Sequence, residues 1–163
     1  MSCSRAGCSK NSSANGRRAV DGAIGSLSRL DGALIAAYRA ALYRIADRFD
    51  LKIDQASPEL AAWQLAHKVD CSALLTACNP AGQRVDERVN QSATAALAAR
   101  IRRAHWPHSP TLGLDPAGRW PAEPGFLVGG LALAPARELG RLFDQNAIVW
   151  AGSDAVPRLI LLR

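Results

Sequence analysis

Six polar side chains stand at points of the chain where an apolar core would favour none. They are Thr76, Asn79, Asn90, Glu123, Gln145 and Asn146. Amides and hydroxyls donate and accept hydrogen bonds, whereas a carboxylate can also exchange a proton. The chemistry these residue types allow is therefore the binding of a small ligand in an amide-rich pocket. Glu123 is the one candidate in this group for a catalytic general acid or base.

Structural roles compete with this interpretation. Asn90 shares a helical face with the apolar Leu97 and Ile101, so its amide must find partners. An unpaired buried amide costs on the order of 1 to 3 kcal/mol. Backbone groups of the preceding turn would make Asn90 a structural staple. The adjacent amides of Gln145 and Asn146 can likewise cap a helix and turn the chain.

Sequence motifs for other chemistry are absent. The chain contains no GxxxxGK[ST], GxGxxG, HExxH or GxSxG string. His105 and His108 have an HxxH spacing, but Pro107 disfavours a helix between them, so we expect neither a metal nor a cofactor. Cys71 and Cys78 would lie about 23 Å apart along a strand, too far for a disulfide. They are expected to be reduced, buried thiols.

Hydrophobic periodicity and turn residues predict the elements that position these side chains. In chain order they are a helix from about Leu27 with Asp31 as a cap, a hairpin containing Phe49, Leu51 and Ile53, a helix opened by Ser57-Pro58, the strand SALLTAC, the turn NPAGQ, a helix from about Asp86 to Ala104, an irregular loop over 105–125, the strand FLVGGLAL, a helix opened by Pro135, and the strands AIVW and RLILL. The loop is predicted because it contains five of the nine prolines. The expected fold is α/β or α+β, with one mixed β-sheet and three to four helices packed on it.

Length and charge suggest one domain with a basic tail. A chain of 163 residues is about the size of one domain. Residues 1–26 lack large apolar side chains and are expected to form a disordered basic tail, with the globular domain over 27–163. Five basic side chains and one acidic one give residues 1–30 a charge of +4 out of the total of +6. The tail could therefore bind nucleic acid.

The lengths of the apolar runs in the sequence indicate where in the cell the protein is expected. No apolar run approaches the roughly 18 to 20 residues that span a bilayer, so no membrane partner is expected. The amino-terminal segment has basic residues but no apolar stretch typical of a secretory signal. A cytoplasmic location is the expectation.

The order of three motifs carries a family resemblance. LLTACNPAGQ with the later Asn90, WPAEPGFLVGGL and RLFDQNAIVWAG together resemble a bacterial domain-of-unknown-function family, number 3293, over about residues 31–163. The resemblance implies a cytoplasmic bacterial domain of unestablished activity, and it groups the six polar residues without assigning their chemistry. Asp144 departs from the pattern, in which glycine is more frequent.

Three functions are compatible with these observations. The first is a small-ligand binding protein or enzyme that uses the polar pocket. The second is a regulatory or protein-interaction module in which the polar residues are structural. The third is a nucleic-acid-associated protein that uses the basic tail and the arginines Arg100, Arg102 and Arg103.

Overall fold

The structure of the chain is a computed structural model that describes residues 30–163, so the expected tail over 1–26 lies outside the described residues. The four helices are α1 (Gly32–Ala40), α2 (Pro58–Ala66), α3 (Glu87–Arg103) and α4 (Leu133–Leu142). The seven strands are β1 (Leu42–Ile45), β2 (Phe49–Lys52), β3 (Ser72–Thr76), β4 (His108–Leu114), β5 (Glu123–Gly129), β6 (Ala147–Ala151) and β7 (Arg158–Leu161). A short 3-10 turn, Pro80–Gly82, precedes α3.

Side-chain caps start three of the helices where the sequence predicts them. Asp31 accepts a hydrogen bond from the Ala33 amide, and Asp86 accepts one from the Arg88 amide. Ser57 accepts one from the Leu60 amide. Each cap satisfies a backbone donor that has no partner within its helix. The first helix begins at Gly32, directly after the predicted cap Asp31, and not at about Leu27, and it ends at Ala40 shortly before β1.

The strands form one sheet in the order β2-β1-β4-β5-β3-β6-β7. One sheet with four helices confirms the predicted class as an α+β fold. Every paired neighbour is antiparallel, which corrects the expected mixed sheet. The helices α3 and α4 do connect parallel strands, as helical crossovers require. In both cases one antiparallel strand lies between the two connected strands, so no parallel pair forms.

Residues 105–125 are not an irregular loop throughout, because they contain β4 and the first three residues of β5. Prolines are tolerated in these strands where the neighbouring strand has ended. The Pro110 carbonyl accepts from the Ala46 amide, one residue past the end of β1. The Pro124 carbonyl accepts from the Thr76 hydroxyl at the end of β3. Each proline therefore presents the edge that lacks an N–H to a position beyond the end of the neighbouring strand, where no ladder hydrogen bond is lost.

The sheet separates two apolar cores. On one face, Leu60 of α2 packs with residues such as Leu74, Leu127 and Val149. On the other face, Leu97 of α3 and residues of α4 pack against alternate positions of the same strands. Among residues 30–163, no helix combines the length and the apolar character that crossing a membrane requires.

Candidate functional site

A cavity of about 380 Å³ lies between α1 and the sheet face that also carries α2. Small side chains of α1 and strand residues such as Leu74 and Val149 give it a mainly apolar lining. Its volume is within the range of about 300 to 1,000 Å³ that small-molecule sites occupy. Helix α1 forms its roof and contains no buried residue of its own.

Glu123 provides the polar end of the cavity. Its Oε1 accepts hydrogen bonds from Asn79 Nδ2 at 2.6 Å and from Trp120 Nε1 at 2.7 Å. Its Oε2 accepts none from residues 30–163, and no basic side chain among them forms an ion pair with Glu123. Within residues 30–163, one carboxylate oxygen is thus held in place while the other has no hydrogen-bond donor.

Asn79 and Asn90 form a reciprocal pair beside this carboxylate. The Asn79 amide N–H donates to Asn90 Oδ1 at 2.8 Å, and Asn90 Nδ2 donates to Asn79 Oδ1 at 3.1 Å. Asn79 is buried and has a left-handed backbone conformation with φ of 49°, which asparagine tolerates better than most residues. The staple expected for Asn90 is therefore present, and through Asn79 it fixes the position of Glu123.

A second cavity, of about 430 Å³, lies between the start of α3 and residues 121–124. Asn90 and Glu87 line this second cavity and not the first, whereas Asn79 and Glu123 line both. Asn90 thus belongs to the support of the first cavity, not to its wall.

Thr76 and Gln145 line the first cavity but use their polar atoms on the backbone. The Thr76 hydroxyl donates to the Pro124 carbonyl at 2.9 Å and accepts from the Cys78 amide at 3.1 Å. Gln145 Nε2 donates to the Cys78 and Phe143 carbonyls. Both side chains join the ends of elements that surround the cavity.

Asn146 lies apart from the carboxylate and connects the sheet to α1. Its Nδ2 donates to the Tyr38 hydroxyl at 3.2 Å, and the residue is 4 % exposed. A side chain at Gly82 would approach Asn146 Nδ2 to 2.8 Å, so the turn after Asn79 also packs here. The structure therefore gathers Thr76, Asn79, Asn90, Glu123 and Gln145 around the turn, with Asn146 under the roof.

Two tyrosines bring hydroxyl groups to the cavity. Burial raises the pKa of Tyr38 above its ordinary value, the hydrogen bond from Asn146 opposes this, and the Glu123 charge adds to it. Burial likewise raises the pKa of Tyr43, with smaller contributions from Tyr38 and Glu123. The charge of Glu123 thus acts on both hydroxyls, which stay protonated at neutral pH.

Two glycines form a bare floor next to Glu123. Gly113 of β4 lies opposite Glu123 of β5, and Thr111 lies opposite Gly125. A methyl group on Gly125 would come within 2.5 Å of the Leu75 carbonyl oxygen, so packing requires glycine there. A methyl group on Gly113 would meet only ordinary contacts, the nearest at 3.7 Å. The absence of a side chain at Gly113 therefore keeps the cavity open.

The segment between β4 and β5 closes one side of the cavity. Asp115 binds the Arg119 side chain and also accepts from backbone amides, and these bonds hold the pKa of Asp115 below its ordinary value, the Ala117 amide contributing most. The Arg84 guanidinium lies 4.7 Å from the Trp120 ring centroid and donates to the Arg119 carbonyl. Trp120 is thereby held where its indole N–H reaches Glu123.

Sequence reasoning did not identify several residues of this site. Trp120 and Tyr38 are not among the six polar residues that the sequence singles out. Trp120 stands three positions before Glu123 in WPAE, a spacing that could have suggested their contact. Nothing local marked Gly113, because it lies in β4, a strand that was not predicted, and its role depends on the pairing of β4 with β5.

Metal chemistry has no support among residues 30–163, which contain no group of three His, Cys, Asp or Glu side chains able to hold an ion. Cys71 and Cys78 are free and buried, as predicted. Burial raises the pKa of the Cys71 thiol, and Asp70 adds to the effect.

Comparison with known proteins gives one match. A family model described as "Protein of unknown function (DUF3293)" matches residues 75–148. No curated protein and no solved structure matches the chain. The matched segment contains all six polar residues discussed above, and it confirms the family resemblance within narrower limits than 31–163. Residues 75–148, which include the Asn79–Glu123 cluster, thus resemble the DUF3293 family of proteins of unknown function.

Proposed function

We propose that the protein binds a small, largely apolar molecule in the cavity under α1, with the free oxygen of Glu123 as its polar anchor. The apolar lining would supply most of the binding free energy, and the few polar groups at one end would orient the ligand. A role of Glu123 as general acid or base stays a prediction, as do a bacterial origin and a cytoplasmic location.

Gly113 is the observation that carries this proposal. Glycine inside a strand costs roughly 0.5 to 1 kcal/mol relative to alanine, because it loses more conformational freedom on folding. At Gly113 neither a left-handed backbone nor the packing of residues 30–163 requires glycine. A site for a ligand supplies the reason, since any side chain would stand in the space beside Glu123.

The experiment is a fluorescence titration with N-phenyl-1-naphthylamine, a neutral probe whose emission rises in apolar surroundings. The wild type should bind the probe, and Gly113→Val should weaken binding at least tenfold. The matched control is Gly32→Val, because Gly32 does not line the cavity and a Cβ atom added there would meet no residue of 30–163 outside its own helical turn within 4 Å.

Thermal unfolding of both variants accompanies the titration. Gly113→Val should unfold at or above the wild-type temperature, since valine favours strands. Equal probe affinity in Gly113→Val and the wild type would contradict the proposal.

A further inference from the structure

We infer that the ligand of this cavity is an organic cation, an apolar molecule that carries a protonated amine. The inference rests on the proposed function and names the class of molecule that the site takes. Its structural basis is the juxtaposition of the unpaired oxygen of Glu123 with the hydroxyl of Thr111 across the bare floor at Gly113 and Gly125.

The charges around the cavity leave one negative charge uncompensated. The charged residues in the lining are Asp115, Arg119 and Glu123. Arg119 Nε lies 3.4 Å from Asp115 Oδ2, so these two charges offset each other. Glu123 forms no ion pair with residues 30–163. A cation would supply the missing partner, whereas an anionic ligand would meet a like charge.

The acceptors match the hydrogen-bonding capacity of an ammonium group. Such a group has three donors and no acceptor. Glu123 Oε2 is one acceptor without a donor among residues 30–163, and Thr111 Oγ1 is another. Thr111 and Glu123 lie on neighbouring strands and the same sheet face, because their direct partners are Gly125 and Gly113. The two glycines leave open the space between these acceptors.

Aromatic rings of the lining suit the same ligand. Tyr38, Tyr43 and Trp120 border the cavity, and the faces of such rings attract cations. Burial raises the pKa of both tyrosines, and the Glu123 charge adds a smaller contribution in the same direction, as expected for groups that border one cavity. The polar end of the cavity is therefore selective for positive charge.

The experiment compares three ligands of nearly equal size: 4-phenylbutylamine, 4-phenylbutan-1-ol and 4-phenylbutyrate. Each competes with N-phenyl-1-naphthylamine on the full chain at pH 7. The amine should bind at least tenfold tighter than the alcohol, and the carboxylate should bind more weakly than both. This comparison needs no variant, so it stands even if a substitution impairs folding.

Two charge-removing variants then locate the selectivity. Glu123→Gln should reduce the preference for amine over alcohol to less than threefold while the alcohol still binds. Glu87→Gln is the matched control, because Glu87 lines the second cavity and not the first. It should keep the wild-type preference.

The outcomes separate this inference from the proposed function. If the probe binds and Gly113→Val blocks it, but amine and alcohol bind equally, the cavity is a ligand site and the cationic class is wrong. Loss of the preference in Glu87→Gln instead of Glu123→Gln would also overturn the inference. Equal affinity of the probe for Gly113→Val and for the wild type would contradict the proposed function itself.

Discussion

At the scale of single residues, the reciprocal hydrogen bonds of Asn79 and Asn90 are the support on which the site depends. Asn90→Ala removes the partner of the buried Asn79 amide N–H and one of the donors to Asn79 Oδ1. We expect a loss of about 1 to 3 kcal/mol in the free energy of unfolding. Urea denaturation measures it, with Gln91→Ala as the control because the Gln91 side chain bonds only the exposed Glu87 among residues 30–163. Equal stabilities of the two variants would refute the structural role of Asn90.

Glu123 should behave differently, although it is bonded to the same asparagine. The amide oxygen of Glu123→Gln can still accept from Asn79 and Trp120, and the substitution removes a charge that has no ion-pair partner among residues 30–163. The free energy of unfolding should therefore change by less than about 1 kcal/mol. The same urea denaturation tests this. A loss as large as that of Asn90→Ala would mean that the Glu123 charge serves folding and not a ligand.

At the scale of elements, the end of α4 places Asp144 in a strained backbone position. The Asp144 amide donates to the Arg141 carbonyl and the Gln145 amide to the Gly140 carbonyl, which is the Schellman arrangement. In that arrangement the residue after the helix is left-handed, and Asp144 has a φ of 55°. Glycine would adopt this conformation without steric cost, because it has no Cβ atom.

The geometry predicts that Asp144→Gly stabilises the protein by up to about 1 kcal/mol, because the left-handed conformation costs an ordinary residue about 1 to 2 kcal/mol. The ion pair of Asp144 with Arg163 is exposed and offsets little of this. Asp144→Ala is the control, since it removes the same ion pair and keeps the Cβ atom. Thermal unfolding should rank the glycine variant above the wild type and the alanine variant below it.

Helix α1 is only lightly anchored over the cavity, because it has no buried residue. Tyr38 bonds Asn146 and Tyr43, and Arg39 forms an exposed ion pair with Asp54. Amide hydrogens of α1 should therefore exchange faster than those of β3 and β5, and a bound ligand should slow them. Hydrogen exchange with and without N-phenyl-1-naphthylamine tests this, and unchanged exchange in α1 would exclude its role as the roof of an occupied site.

At the scale of the whole molecule, the sequence predicted local features well and long-range ones poorly. Caps such as Ser57 and Asp86 and the period of α3 are local signals, so these helices were predicted within a few residues. Strand β4 was missed because proline normally excludes a strand, and the exception depends on where β1 and β3 end. Because β4 was not predicted, the antiparallel pairing of the sheet was not predicted either.

The site shows the same division between local and long-range information. The grouping of Asn79 with Asn90 could be expected from a turn followed by a helix. The contact between Asn79 and Glu123 joins residues 44 positions apart, and the bare floor at Gly113 depends on the pairing of β4 with β5. No local pattern encodes either feature, although the family resemblance had already grouped the polar residues.

The division of charge between the amino-terminal segment and the domain leads to the last prediction. Residues 1–26 carry four basic side chains and one acidic one, a net charge of +3 out of +6, and every residue that we place in the site lies within 30–163. A chain that starts at residue 27 should therefore unfold within a few degrees of the full chain and bind N-phenyl-1-naphthylamine equally well. If the full chain binds a DNA duplex, the shorter one should bind it more weakly and with a smaller dependence on salt, because fewer counterions are released. A lower unfolding temperature together with weaker probe binding would show that residues 1–26 take part in the site, and unchanged salt-sensitive DNA binding would assign that activity to the arginines at the end of α3.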